Sequence, residues 1–172
     1  MNRKIIGLDL SLTSTGWSCD GEYGVISSKN KKTQRLVDIS SEILEKCSKH
    51  QVDTVVIEGY SFASRSGQAF SIGELGGVVR FCLLKSGFEF VEVPPTVRAK
   101  FATGRGNAAK SEVVSSISAK TGIVWSGSGA DDMCDAWILE EIGLVRYGQQ
   151  RFDWPKLNMS ALESLDWTPT TR

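Results

Sequence analysis

The chain has 172 residues, 41% hydrophobic and 23% charged, with 20 Lys and Arg balanced by 20 Asp and Glu. These totals fit one globular domain that buries its own core, and they exclude a protein that coats nucleic acid through overall positive charge. No apolar stretch approaches a membrane span, and the start from Met1 to Lys4 leads into an apolar strand rather than a signal peptide. Four scattered cysteines, Cys19, Cys47, Cys82 and Cys134, form no CxxC pair, so neither a disulfide framework nor a zinc site is indicated and a reducing, cytoplasmic setting is expected.

The first hydrophobic run, Ile5 to Ser11, is apolar on both sides of Asp9, the pattern of a strand buried in a sheet. A carboxylate there is costly unless a cation or hydrogen bonds compensate it. Gly16–Asp20 and Tyr23–Ser27 read as two further strands joined by the hairpin signal Asp20-Gly21. Thr33 is a plausible cap for a helix whose Leu36, Ile39, Ile43 and Leu44 recur at helical spacing. Val52–Glu58 is a second buried strand that ends on an acid. Strand, helix and strand in this order point to an α/β sheet with a crossover.

A loop with Tyr60, Phe62 and Arg65 precedes a helix over 68–84 that carries Gly73, Gly76 and Gly77. Small residues on a helix allow close approach of another backbone, so Gly76, Gly77, Phe70, Leu75 and Val79 are expected to serve a helix–helix contact. The alternative is that these apolar residues face the chain's own core. Phe88–Val93 is a strand, Thr96–Phe101 a short helix after Pro94-Pro95, and Ala108–Lys120 a further helix. The last helix opens at Gly129 and runs to about Tyr147. A domain over 1–148 is expected, followed by an irregular tail over 149–172. The single His50 sits at a helix end and is expected to be exposed rather than catalytic.

Asp9 and Glu58 end two buried strands and converge if those strands are neighbours. On the last helix Asp132 and Asp135 are three apart and share a face, but so do Asp131 and Asp135, four apart, which leaves the partner open. Converging carboxylates repel, and oxygen-preferring divalent ions such as Mg²⁺ relieve that repulsion. Two such ions support phosphoryl displacement. The plainer reading of Asp131 and Asp132 is a pair of acids favoured by the helix dipole. Two basic clusters, one at Lys29, Lys31, Lys32 and Arg35 and one at Arg98, Lys100, Arg105 and Lys110, read alone as solvated faces.

The runs Gly-Leu-Asp-Leu-Ser-Leu-Thr-Ser-Thr-Gly-Trp, Val-Val-Ile-Glu-Gly-Tyr-Ser-Phe, Ala-Ala-Lys-Ser-Glu and Asp-Asp-Met-Cys-Asp-Ala-Trp stand in one order. This order resembles the RuvC family of Holliday junction resolvases, of the RNase H-like superfamily, from Lys4 to about Gly148. The resemblance implies a mixed five-stranded sheet, its first three strands antiparallel, with helices on both faces. It implies two Mg²⁺ ions, for which Mn²⁺ substitutes, held by Asp9, Glu58, Asp132 and Asp135, with Asp131 as an extra acid. Lys110 and Lys100 would face DNA, where Arg105 of the same basic cluster is expected to join them, and Tyr60 or Phe62 would stack on a base at the crossover. The helix 68–84 would form a homodimer.

The implied activity is a crossover junction endodeoxyribonuclease that nicks four-way DNA symmetrically and leaves 5′-phosphate and 3′-hydroxyl ends. The neutral charge, the Trp-bearing tail and the Gly-rich helix depart from the family and are consistent with a divergent, phage-encoded member. A broader fork or flap nuclease, or a catalytically silent protein that binds branched DNA, remains open on sequence. An actin-like phosphate loop at Asp9–Gly16 fits poorly, because the chain is short for two domains and shows no second loop.

Overall fold

The computed structural model describes residues 2–60 and 68–170. β1 (Ile5–Asp9), β2 (Thr15–Cys19) and β3 (Glu22–Ile26) form an antiparallel meander. Asp20 and Gly21 join β2 to β3 with φ of 53° and 84°, the left-handed pair that a tight hairpin requires. β4 (Thr54–Glu58) pairs in parallel with β1, and β5 (Glu89–Val93) pairs in parallel with β4, giving the order β3-β2-β1-β4-β5. The sheet is the mixed five-stranded arrangement expected.

Side chains alternate across a strand, and the alternation sorts the core into two layers. Ile6, Leu8, Val55, Ile57 and Phe90 face α1 (Lys32–Lys49) and α2 (Gln68–Lys85), where Ile39, Ile43, Leu75, Val79 and Leu83 close the layer. Ile5, Val56 and Val93 face the opposite layer. It is built from α3 (Pro95–Thr103), α4 (Lys110–Thr121) and α5 (Ala130–Arg146), through Phe101, Ile117, Trp137 and Ile138. Helices therefore cover both faces, and Asp9 and Glu58, in step with Ile5 and Val56, belong to the α5 side.

Several expectations are corrected. Lys31, not Thr33, precedes the first turn of α1, and no side chain caps that end. His50 is not exposed: its side chain is 9% accessible and its ring lies 5.8 Å from that of Trp17. On α2, Leu75 and Val79 are 0% and 1% exposed within the chain's own core, so they offer no area to a second helix. The outward stripe is Phe70, Gly73, Gly77 and Phe81, with Phe70 83% and Phe81 63% exposed. The tail is not irregular throughout, because α6 (Lys156–Met159) and a 3-10 turn (Ser160–Ser164) form within it. Ala161 and Leu162 are buried beside α3, and the Trp154 ring packs 4.2 Å from Phe101. Single aromatic anchors rather than a repeating pattern hold this segment, which is why periodicity misses it.

Candidate active site

β1 and β4 run in register, Leu8 opposite Ile57, so Asp9 and Glu58 end adjacent parallel strands side by side. The carboxyl ends of parallel strands are where open α/β sheets place their ligands. α5 lies directly over this corner because two strand residues lack a side chain. A Cβ on Gly7 would stand 2.0 Å from the Ala136 carbonyl oxygen, and one on Gly16 would stand 2.0 Å from that of Asp132. Helix backbone thus meets sheet backbone, and Asp132 and Asp135, on one helical face, are delivered above Asp9 and Glu58.

The four acids act on one another. Burial, then the charges of Glu58 and Asp135, hold the Asp9 carboxyl well above its usual range; Asp132 adds to the shift and Arg98 opposes it. Burial, with Glu58 and Asp131 adding, raises Asp135 to about 7 against the pull of Arg98 and Lys110. Burial also raises Asp132, opposed by the Ser14 hydroxyl and Lys110. Asp131 differs: its side chain is 46% exposed, and its bond from Lys110 holds its carboxyl below the usual range. Of the two, Asp132 is the less exposed, at 16% of its side chain, and its charge adds to the raised Asp9 carboxyl.

Two cations answer this negative field. Arg98 of α3, 7% exposed, donates from Nε to Glu58 Oε2 and from Nη1 to Asp135 Oδ1, bridging sheet and helix. Lys110, at the start of α4, places Nζ 3.0 Å from Asp131 Oδ2, 3.9 Å from Asp132 Oδ1 and 4.0 Å from Asp135 Oδ2. Burial acts to lower the Lys110 pKa, but the bond to Asp131 and the charges of Asp135 and Asp9 outweigh it and raise it.

Sequence reasoning missed Arg98 as a member of this site, because among Lys100, Arg105 and Lys110 it reads as one more surface charge. The helix separates them. Lys100, two residues on and so turned about 200° away, lines a separate depression with Thr96, Gly106 and Ser164. Arg105 is exposed and pairs with Glu112. Neither joins the acids. Tyr60 is 43% exposed at the rim, while Phe62 lies outside the described residues.

Among the described residues, no three acidic, histidine or cysteine side chains stand in ready-made metal-ligating geometry. The acids are tied to Arg98 and Lys110, so a cation held here would share or replace those contacts. The donor set itself, all carboxylate oxygen and strongly self-repelling, fits a hard divalent ion such as Mg²⁺.

Known proteins place the chain. The family model for crossover junction endodeoxyribonuclease RuvC matches residues 5–136. The RuvC of Caldicellulosiruptor saccharolyticus is 27% identical over 151 residues, 77% of this chain and 87% of that protein. The RuvC of Gloeobacter violaceus is 29% identical over 154 residues, 81% and 87% of the two chains. Among solved structures, Thermus thermophilus RuvC in complex with Holliday junction substrate superposes with a TM-score of 0.67 at 20% identity, covering 86% of this chain and 97% of that one. The matched segment carries β1 with Asp9, β4 with Glu58 and the α5 turn with Asp132 and Asp135, and the chain belongs to the RuvC family of crossover junction endodeoxyribonucleases.

Proposed function

We propose that this chain is a Mg²⁺-dependent endonuclease that resolves four-way DNA junctions, with Asp9, Glu58, Asp132 and Asp135 as its catalytic acids. The observation that carries the reading is the convergence of two strand-end acids with two helix acids: burial raises Asp9, Asp132 and Asp135, and the charges of Glu58, Asp135 and Asp132 add to the shift at Asp9. Asp9, on which the charges of Glu58, Asp135 and Asp132 all act, would be shared by both ions. When bound, two such ions would activate water and stabilise the attacking and leaving oxygens of an in-line displacement, giving 5′-phosphate and 3′-hydroxyl ends; Mn²⁺ has the same oxygen preference. Arg98 holds one oxygen each of Glu58 and Asp135 and leaves the other for the ions, so it orients both carboxylates. Lys110, 62% exposed at the mouth, is placed to meet a DNA phosphate, while Arg105 and Lys100 would reach the strand farther out.

Two symmetrical nicks need two sites, and a two-fold dimer supplies them through one self-complementary surface. The stripe of Phe70, Gly73, Gly77 and Phe81 on α2 is apolar, exposed and free of bulk at its centre, which suits a closely packed helix pair. No helix among the described residues is long and apolar enough to cross a membrane, in keeping with a protein that meets DNA in the cytoplasm.

The test is incubation of the purified chain with a labelled four-way junction, a fork and a linear duplex, each with Mg²⁺ and with a chelator. Paired nicks in the junction alone, dependent on Mg²⁺, are expected. Equal cutting of fork and junction would move the assignment to a broader structure-selective nuclease. Binding without cutting would make the chain a branched-DNA-binding protein.

A further inference from the structure

A third cation reaches the same corner from α2, and it is not used by the acids. A cavity of about 140 Å³ beyond the ends of β1 and β4 is lined by Asp9, Glu58, Gly59, Tyr60, Gly76 and Arg80. Arg80 donates from Nε to Glu92 Oε1 at 2.7 Å and from Nη1 to the Tyr60 hydroxyl at 3.1 Å, and its Cζ lies 4.4 Å from the Tyr60 ring centre. Its Nη2 is buried and has no hydrogen-bond partner among the described residues. Native proteins rarely leave a buried donor unsatisfied, and a guanidinium can only donate, so the missing partner is an acceptor.

Gly76 is what admits this arrangement. A Cβ there would stand 2.5 Å from the Tyr60 hydroxyl oxygen and 2.6 Å from Arg80 Nη1. The sequence alone assigns Gly76 to close packing with a second helix, but the structure buries it under the Tyr60–Arg80 pair. Glu92 and Tyr60 fix the fork of Arg80, whose side chain lines the same cavity as the two strand-end acids. Among the described residues that line this cavity, Arg80 is the only basic one, so a nucleic-acid backbone brought to those acids meets its charge there.

We infer that Arg80 is a substrate-binding residue whose Nη2 donates to a non-bridging oxygen of the DNA phosphate adjacent to the scissile one, with Tyr60 and Gly76 forming its seat. The inference rests on the nuclease reading above. Its ligand is the nucleic-acid backbone itself, so it adds affinity and register without sequence preference.

The test measures junction affinity between 50 and 200 mM salt, on the full chain carrying Asp9→Asn so that binding is read without cutting. Arg80→Met should flatten the slope of log affinity against log salt by about 0.9, the value of one lost phosphate contact. Arg80→Lys should restore the slope by restoring the charge. In the cleaving protein Arg80→Met should raise KM about tenfold with kcat changed less than threefold. Gly76→Ala, which displaces the seat without touching charge, should reproduce the flattening and decides the matter if Arg80→Met does not fold. A slope unchanged in folded Arg80→Met, or in Gly76→Ala, would overturn the inference while wild-type cleavage of the junction still stood. Failure of the wild-type chain to bind or cut any branched DNA would overturn the nuclease reading itself.

Discussion

α5 carries two pairs of acids withdrawn from solvent, Asp132 with Asp135 and Glu140 with Glu141, and they are held on opposite terms. Glu140 accepts from the Ser18 hydroxyl at 2.6 Å and the Asp20 amide at 2.9 Å, and Arg151 lies 3.3 Å away. Glu141 accepts from the Arg151 amide at 2.9 Å and its Nε at 2.8 Å, and from the Trp154 indole at 3.0 Å. Burial pushes the Glu140 carboxyl up, as it does Asp132 and Asp135. The difference lies in what faces each pair. At the C-terminal half of the helix, neutral donors and one arginine close the coordination. At the N-terminal half, Asp132 and Asp135 meet two more carboxylates, Asp9 and Glu58, so that Arg98 and Lys110 are divided among several acids. Burial alone does not mark chemistry; like charges held together with unspent lone pairs do.

The sharpest way to break this contrast is at Asp9. Asp9→Asn should lower cleavage on the order of 10³-fold, about 4 kcal/mol of barrier, while junction binding persists and stability with a chelator rises, because one repelling charge is gone. Cleavage kinetics beside thermal melting read both. Residual nicking within a few-fold of wild type would remove Asp9 from the chemistry. The opposite profile is expected at the other pair. Glu141→Ala should strip partners from Arg151 and Trp154 and lower stability by about 3 kcal/mol, with turnover per folded molecule unchanged.

Next in size is the choice within the helix turn. Asp132→Asn should match Asp135→Asn, each losing roughly 10²-fold or about 2.7 kcal/mol, and Asp131→Asn should lose less than threefold, since Asp131 is bonded outward to Lys110. A reversed order in the same assay would mean that the exposed acid is the functional one.

The pH dependence of stability probes the same acids without metal. Asp135 has its proton affinity raised from 3.8 to about 7 on folding, so between these values the folded chain binds more protons than the unfolded one. Without divalent metal, stability should therefore fall as pH rises from about 4 to about 7 and level off above. Each kcal/mol lost lowers the melting temperature by roughly 2–4 °C in a chain of this size. Asp135→Asn should reduce the slope, and Mg²⁺ should offset it. A melting temperature flat over that window in chelator would show that burial, with the charge of Glu58 beside it, does not raise the Asp135 carboxyl as described.

Much of this arrangement is legible in the sequence because it follows from period. Two apolar runs that end on acids predict Asp9 and Glu58 as neighbours at strand ends, and the crossover order predicts that β1 and β4 are adjacent. Asp131 and Asp132 could not be separated, because spacings of three and four both fall on one helical face. Arg98 was hidden for a related reason: a basic cluster reads as one surface until helix phase turns Arg98 inward and Lys100 away. Gly76 was misassigned because a glycine announces close approach without saying by what. The helical turns of the tail are illegible because they are short and held by single anchors such as Trp154 and Leu162, whose contacts are distant in sequence.

The contact of α5 with the sheet has one more consequence. At Gly7 and Gly16 the spacing between helix and strands is set by main-chain atoms, and these stay the same whichever residues are exchanged around them. The separation between the two halves of the acid cluster is therefore insulated from drift in the surrounding side chains. At these two positions even one added methyl would meet helix main chain and lift the turn that carries both helix acids. A lineage can rewrite most of its interior and keep its chemistry aligned, provided that it never fills those two gaps.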